Sequence, residues 1–180
     1  MKPKKVIVSG GPGFGKTSII NELEAQNHIC MHEVSRSIIK EQLEIGGDIL
    51  PWKNLSTFSR LIFERRVKQF EEAVENKWVF FDRGLPDIMA YMGKDELEIP
   101  SKYIQKIQEC SYFPHVFIVP PWKEIYAKDE ERKEDFITAS ELHNYISDTY
   151  NNLGYNTVVI PKISVVDRVK FILDYIEKNS

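Results

Sequence analysis

The chain has 180 residues, 42% of them hydrophobic and 28% charged. That is enough for one compact domain with a real core, short for two, and it excludes wholesale disorder. A formal net charge of -3 offers no broad basic surface, so nucleic acid is not an expected partner, although a local basic groove stays open.

The two cysteines, Cys30 and Cys110, lack paired spacing. A disulfide framework or zinc knuckle is not expected, and a reducing, cytoplasmic setting fits. Only three apolar residues follow Lys2, Lys4 and Lys5, and no apolar run approaches the roughly 20 residues of a membrane span. Neither a signal peptide nor a membrane partner is expected.

Residues 4–9 form a short β-branched run that reads as a buried strand. Directly after it stands Gly10-Gly11-Pro12-Gly13-Phe14-Gly15-Lys16-Thr17, which fits G-x-x-x-x-G-K-[ST]. Glycines let the backbone turn tightly and aim its N–H groups at an anion. Lys16 reaches the β- and γ-phosphates, and the Thr17 hydroxyl is placed to ligate Mg²⁺. Ser18 opens a run with apolar residues at 19, 20 and 23, the spacing of a helix whose positive end faces the same phosphates. Strand, glycine loop and helix occur in the required order. Gly11, Pro12, Gly13, Phe14, Gly15, Lys16, Thr17 and Ser18 are therefore the expected ATP contacts.

A second strand is expected over 28–34, containing Glu33, followed by a helix over 35–43 that Ser35 could cap. At the strand end Glu33 could take the proton of an attacking hydroxyl; the alternative is a helix cap or a surface charge. Arg36, one turn on, could face the same pocket or solvent. Gly46-Gly47-Asp48 and Pro51-Trp52 make a loop. A long helix over 55–75 carries apolar residues at 58, 62, 63, 67, 70 and 74, with Arg60, Arg65, Arg66 and Lys68 between them. Trp52 and Phe58 are candidates to line a substrate ring, or plain packing.

Residues 77–84 run from four apolar side chains into Asp82 and Arg83. A continuous apolar run suits a strand covered on both faces, and polar residues at its carboxyl end sit where open α/β sheets bind ligands. Asp82 is the candidate second Mg²⁺ ligand, or a cap for the helix at Pro86. Arg83 could clamp a phosphate or substrate, or pair with Glu33. Helices over 86–92 and 101–110, a strand over 113–119, a helix over 138–152, a strand over 156–160 and a closing helix over 164–178 complete the chain. Between them, 123–135 holds four basic and six acidic residues. It is either a solvated surface or a lid, at about 122–136, that brings Arg132 to the transferring phosphoryl. Strands alternating with helices give a doubly wound α/β fold, a five-stranded parallel sheet with helices on both faces.

The 10–18 loop, Glu33-Val34-Ser35-Arg36, Phe81-Asp82-Arg83-Gly84-Leu85-Pro86-Asp87 and Glu130-Glu131-Arg132 together carry a resemblance. The chain resembles the P-loop kinase-like ATPase domains, a small family of AAA-type ATPases related to ribosylnicotinamide kinase and to nucleoside and thymidylate kinases. The resemblance spans nearly the whole chain. It implies a P-loop NTPase with strand order 2-3-1-4-5, a single domain over 1–180, Mg²⁺-ATP as cofactor, and transfer or hydrolysis of the γ-phosphoryl. One departure stands out: Asp82 is followed by Arg, with no separate acidic pair after an apolar strand, which favours a kinase-type site over a motor-type one.

Two functions follow. The first is a kinase with a nucleoside, nucleotide or related metabolite as acceptor, using Lys16, Glu33, Asp82, Arg83 and Arg132 in catalysis and Glu33, Arg36, Trp52, Phe58 and Arg83 at the acceptor. The second is a nucleotide-gated switch or ATPase acting on a protein partner. Association into a homodimer is left open.

Overall fold

A computed structural model describes residues 4–126 and 135–180. In chain order the elements are β1 (Lys5–Ser9), α1 (Lys16–Ala25), β2 (Ile29–Met31), α2 (Val34–Glu44), α3 (Leu55–Glu72), β3 (Val79–Asp82), α4 (Pro86–Lys94), α5 (Ser101–Glu109), β4 (His115–Ile118), a 3₁₀ turn (Lys123–Ile125), α6 (Phe136–Asn152), β5 (Asn156–Val159) and α7 (Val165–Asn179). The five strands form one sheet in the order β2-β3-β1-β4-β5. Every pairing is parallel. This is the doubly wound P-loop NTPase architecture.

The period-2 alternation of the strands divides the core. Ile7, Val79, Phe81, Val116 and Ile118 face one side, where Phe63 of α3 and the inner faces of α4, α5 and α6 cover them. Val6, Val8, Phe80 and Phe117 face the other, under Ile19, Ile20 and Leu23 of α1 and Val169, Ile172 and Ile176 of α7. Both faces are dry, so β1 and β3 read as continuous apolar runs rather than alternating ones. A third, smaller cluster of Ile38, Ile39, Leu50 and Phe58 joins α2 to α3.

Three local expectations need correction. The second strand is only three residues long. Beyond it the His32 carbonyl accepts from Gln69 Nε2 of α3 at 2.9 Å, so the chain has left the sheet before Glu33. Ser35 does not cap α2; Glu33 holds the N-cap position, with no side-chain capping bond. Arg66 does not belong to the polar face of α3. It lies three residues after Phe63 and four before Phe70, within the apolar stripe, and is buried.

Candidate active site

The loop between β1 and α1 has the backbone that its glycines predict. Gly10 has φ +132°, and a Cβ there would lie 2.5 Å from the Val119 carbonyl oxygen. Gly15, at φ +92°, occupies the N-cap of α1. Both positions are open to glycine almost alone. Pro12, Gly13, Gly15, Lys16, Thr17 and Ser18 line a cavity of about 720 Å³. Gly11 and Phe14 stand behind it. The Gly11 carbonyl accepts from Lys16 Nζ at 2.7 Å. The Phe14 ring is fully buried, edge-on to Phe136 at 5.8 Å and beside Tyr126 at 6.1 Å, and so anchors the loop to the core. Burial, and after it the Arg83 charge, brings the Lys16 ammonium down to about 7.

Asp82 ends β3 below the loop and is not part of the cavity wall. Thr17 Oγ1 donates to its Oδ2 at 3.4 Å, while Oδ1 is buried with no hydrogen-bond partner. Burial and the neighbouring Glu33 push its carboxyl up to about 6 against the pull of Lys16, Arg83 and Arg66. The capping alternative for Asp82 is wrong: α4 has Leu85 at its N-cap and no side-chain cap. A hydroxyl beside an orphaned carboxylate oxygen is a donor set that suits a hard cation such as Mg²⁺.

Arg83 follows at once, with a left-handed backbone, φ 70°. That conformation is uncommon outside glycine and marks a constrained turn. Its backbone N–H still extends the sheet, donating to the Val8 carbonyl at 3.0 Å. The side chain then lies between three acceptors. Nε donates to Glu33 Oε2 at 2.6 Å, and Nη1 donates to the Gly10 carbonyl at 3.0 Å and to Asp87 Oδ1 at 3.1 Å.

Glu33 is held from its other side by Arg66, whose Nη2 donates to Oε1 at 2.6 Å. Arg66 Nη1 also donates to the Asp82 carbonyl at 3.1 Å. Burial alone would raise the Glu33 carboxyl, but Arg83, Arg66 and Lys16, with a hydrogen bond from Ser35, outweigh it and hold it at about 2. Asp87 closes the network. It accepts from Gly84 N at 2.8 Å, from Tyr150 Oη at 2.5 Å and from Ser9 Oγ.

Arg36, Trp52, Phe58, Glu33 and Arg83 all line the same cavity as the phosphate loop. Phe58 is buried in the small α2–α3 cluster, whereas Trp52 is 40% exposed at the rim. The structure thus brings the residues singled out from the sequence to one cavity or its floor, apart from Gly11 and Phe14, which stand behind the cavity instead of lining it, and Arg132, which lies outside the described residues along with most of the 122–136 segment. Sequence reasoning passed over Arg66 and Asp87 as site residues. Arg66 carried a signal, a charge inside an apolar stripe. Asp87 stood within the Asp82–Asp87 run but without an evident partner.

The strand order, the glycine loop capped onto α1 and the Thr17–Asp82 pair define a P-loop nucleotide-binding protein with a kinase-type fold. A family model described as AAA domain matches residues 5–168, and the chain belongs to that family. No curated protein matches the sequence.

Among solved structures the chain is similar to deoxyadenosine kinase from M. mycoides with bound dATP, at a TM-score of 0.67 and 15% identity, over 96% of this chain and 98% of that one. It is similar to thymidylate kinase from Ehrlichia chaffeensis, at a TM-score of 0.63 and 15% identity, over 98% of this chain and 99% of that one. A complex of NadR with NR matches at a TM-score of 0.67 and 15% identity, over 98% of this chain but 51% of that one. At such identities the likeness is one of fold.

Proposed function

We propose that the chain is an ATP-dependent small-molecule kinase that moves the γ-phosphoryl to a hydroxyl of a nucleoside, nucleotide or related metabolite. The observation that carries this reading is the continuity of the cavity. Its wall passes from the phosphate loop, past Glu33 and Arg83, to Trp52 and Phe58. A volume of about 720 Å³ exceeds what a triphosphate alone would need, and falls within the usual range for small-molecule sites. The kinase neighbours support the same reading.

In this mechanism Lys16 leaves the Gly11 carbonyl for the β- and γ-phosphates, and the loop N–H groups hold the β-phosphate. Thr17 and Asp82 would hold Mg²⁺, which when bound would supply positive charge against the phosphates. Glu33 accepts the acceptor's O–H. Each of its oxygens accepts from one arginine and Ser35 engages a third lone pair, which leaves one for the acceptor. A carboxylate held near 2 is a weak base, so Glu33 orients the hydroxyl and receives its proton late. A loose transition state asks little more of it. Arg83 keeps Glu33 in place and offsets charge on the transferring group, and Arg132 is proposed to join it.

The switch reading predicts ATP turnover that needs no small acceptor. Turnover measured with and without a panel of nucleosides and nucleotides separates the two. Acceptor-dependent ADP release is expected; equal rates with every acceptor and with none would overturn the kinase assignment.

A further inference from the structure

Three arginines in this cavity's walls and floor are almost fully buried: Arg66 at 3%, Arg83 at 5% and Arg168 at 4% exposure. Two of them are paired with carboxylates. Arg168 is not. Its Nε and Nη1 are buried with no hydrogen-bond partner. Burial lowers its pKa, and no carboxylate among the described residues offsets that. It sits in the first turn of α7, where the helix dipole disfavours a cation. Asp167, its neighbour in sequence, turns away and hydrogen-bonds the Ser164 cap instead. The guanidinium carbon lies 5.4 Å from the centre of the Trp122 ring, which supplies a face but no counter-charge.

An arginine buried under those conditions costs stability unless something anionic arrives. Its position names the anion. Arg168 lines the cavity together with Gly13, Gly15, Lys16 and Thr17. A Cβ at Gly15 would lie 3.1 Å from Arg168 Nη1. The glycine therefore lets the guanidinium lie against the phosphate loop itself.

We infer that Arg168 binds the phosphate chain of the nucleotide from the α7 side, a cation supplied by the last helix to a site otherwise built at the start of the chain. The inference rests on the nucleotide-binding reading above. It explains why Arg168 is kept charged, buried and unpaired, and why residue 15 lacks a side chain beyond the needs of φ. The guanidinium presents two further N–H donors to a phosphate oxygen pair in the geometry that arginine suits best.

The test uses the intact protein and its Arg168→Met and Arg168→Lys variants, with ADP, tripolyphosphate and adenosine as separate titrants. Melting temperature is measured for each without ligand. The unliganded Met variant should melt at or above the wild-type temperature, because an unpaired buried charge has been removed. Its affinity for ADP and for tripolyphosphate should fall by roughly 10–100-fold, the loss expected for a charge-assisted hydrogen-bonded contact, while adenosine binding is unaltered. The Lys variant should recover part of that loss.

A Met variant that binds ADP as tightly as wild type would overturn the inference, as would one that fails to fold or melts well below wild type, since both assign Arg168 to packing. Loss of adenosine binding in step with ADP would also overturn it. Wild-type protein that binds neither ADP nor tripolyphosphate would instead sink the nucleotide reading itself.

Discussion

The floor of the cavity and its phosphate-loop end handle buried charge in opposite ways. On the floor, Glu33 and Asp87 accept from Arg66 and Arg83 in a connected network, with contacts of 2.6 to 3.1 Å. At the phosphate loop, the Lys16 ammonium has a carbonyl as its close partner and Arg168 has two orphaned nitrogens. The physical difference is what each region waits for. A network that satisfies itself holds its side chains in one geometry before any ligand binds, and this preorganisation is what positions an acceptor hydroxyl. Cations left short of partners spend native stability so that an anion can supply the missing interactions.

The largest expected effect breaks the floor. Arg66→Met removes one partner of a buried pair and strands Glu33. It should cost about 3–5 kcal/mol of stability, read as a drop of roughly 6–20 °C in Tm for a chain of this size. A variant that melts within a degree or two of wild type would show that the floor is not a structural network.

Lys16→Ala acts on the phosphate-loop end and should do the reverse. The Tm should hold, because a desolvated ammonium is lost, while phosphoryl transfer falls by at least roughly 10²–10³. The paired measurement is decisive: if Lys16→Ala unfolds the protein and Arg66→Met leaves it intact, the comparison is inverted.

Glu33→Gln touches both functions of the floor. It keeps the shape but loses the charge that two arginines share. Transfer should drop by about 10², the low end for a group handling the acceptor proton, with ADP affinity nearly unchanged. Full transfer activity in a well-folded Glu33→Gln protein would remove Glu33 from the reaction.

The smallest effect, and the one that sharpens the contrast most, is in pH. Glu33 has a folded pKa of about 2 against an ordinary 4.5. The unfolded chain therefore binds the extra proton between those values, and the stability Glu33 contributes is complete above 4.5 and lost as pH falls towards 2. Lys16 has a folded pKa of about 7 against 10.5. Here the unfolded chain binds more protons between 7 and 10.5, so this group's penalty shrinks as pH rises through that window. Phosphates restore the ammonium, so ADP binding should take up a proton above pH 7 and weaken by up to tenfold per pH unit. Calorimetric titration in buffers of different ionisation enthalpy reads the proton directly; an uptake of zero at pH 8 would contradict the lowered Lys16.

The local code of this chain was strong where backbone and periodicity carry it. Glycines that need a positive φ, a lysine and a hydroxyl at fixed offsets announced the phosphate loop, because short-range geometry alone demands those residue types. Apolar runs at 79–81 and 116–118 announced strands covered on both sides, and alternation with helices announced the parallel sheet. The placement of Asp82 and Arg83 at the end of β3 was legible for the same reason, whereas Glu33 lies past the end of β2, at the N-cap of α2.

What a side chain does once it arrives was decided only by tertiary structure. Whether Glu33 is a base or an orienting group depends on Arg66, which is 33 residues away. The role of Asp87 depends on Ser9 and Tyr150, from the two ends of the chain. Asp82 could be separated from a helix cap only once Leu85 was seen at the N-cap of α4 and Thr17 against the carboxylate. Arg168 shows the limit most plainly. On a helix wheel it falls in the apolar stripe of α7, but its meaning lies in the carboxylate it lacks among the described residues and in the glycine, 153 residues earlier, whose missing side chain makes room for it. Pairing and its absence are long-range facts, set by how the sheet brings distant strand ends and helix starts to one edge, and no local pattern encodes them.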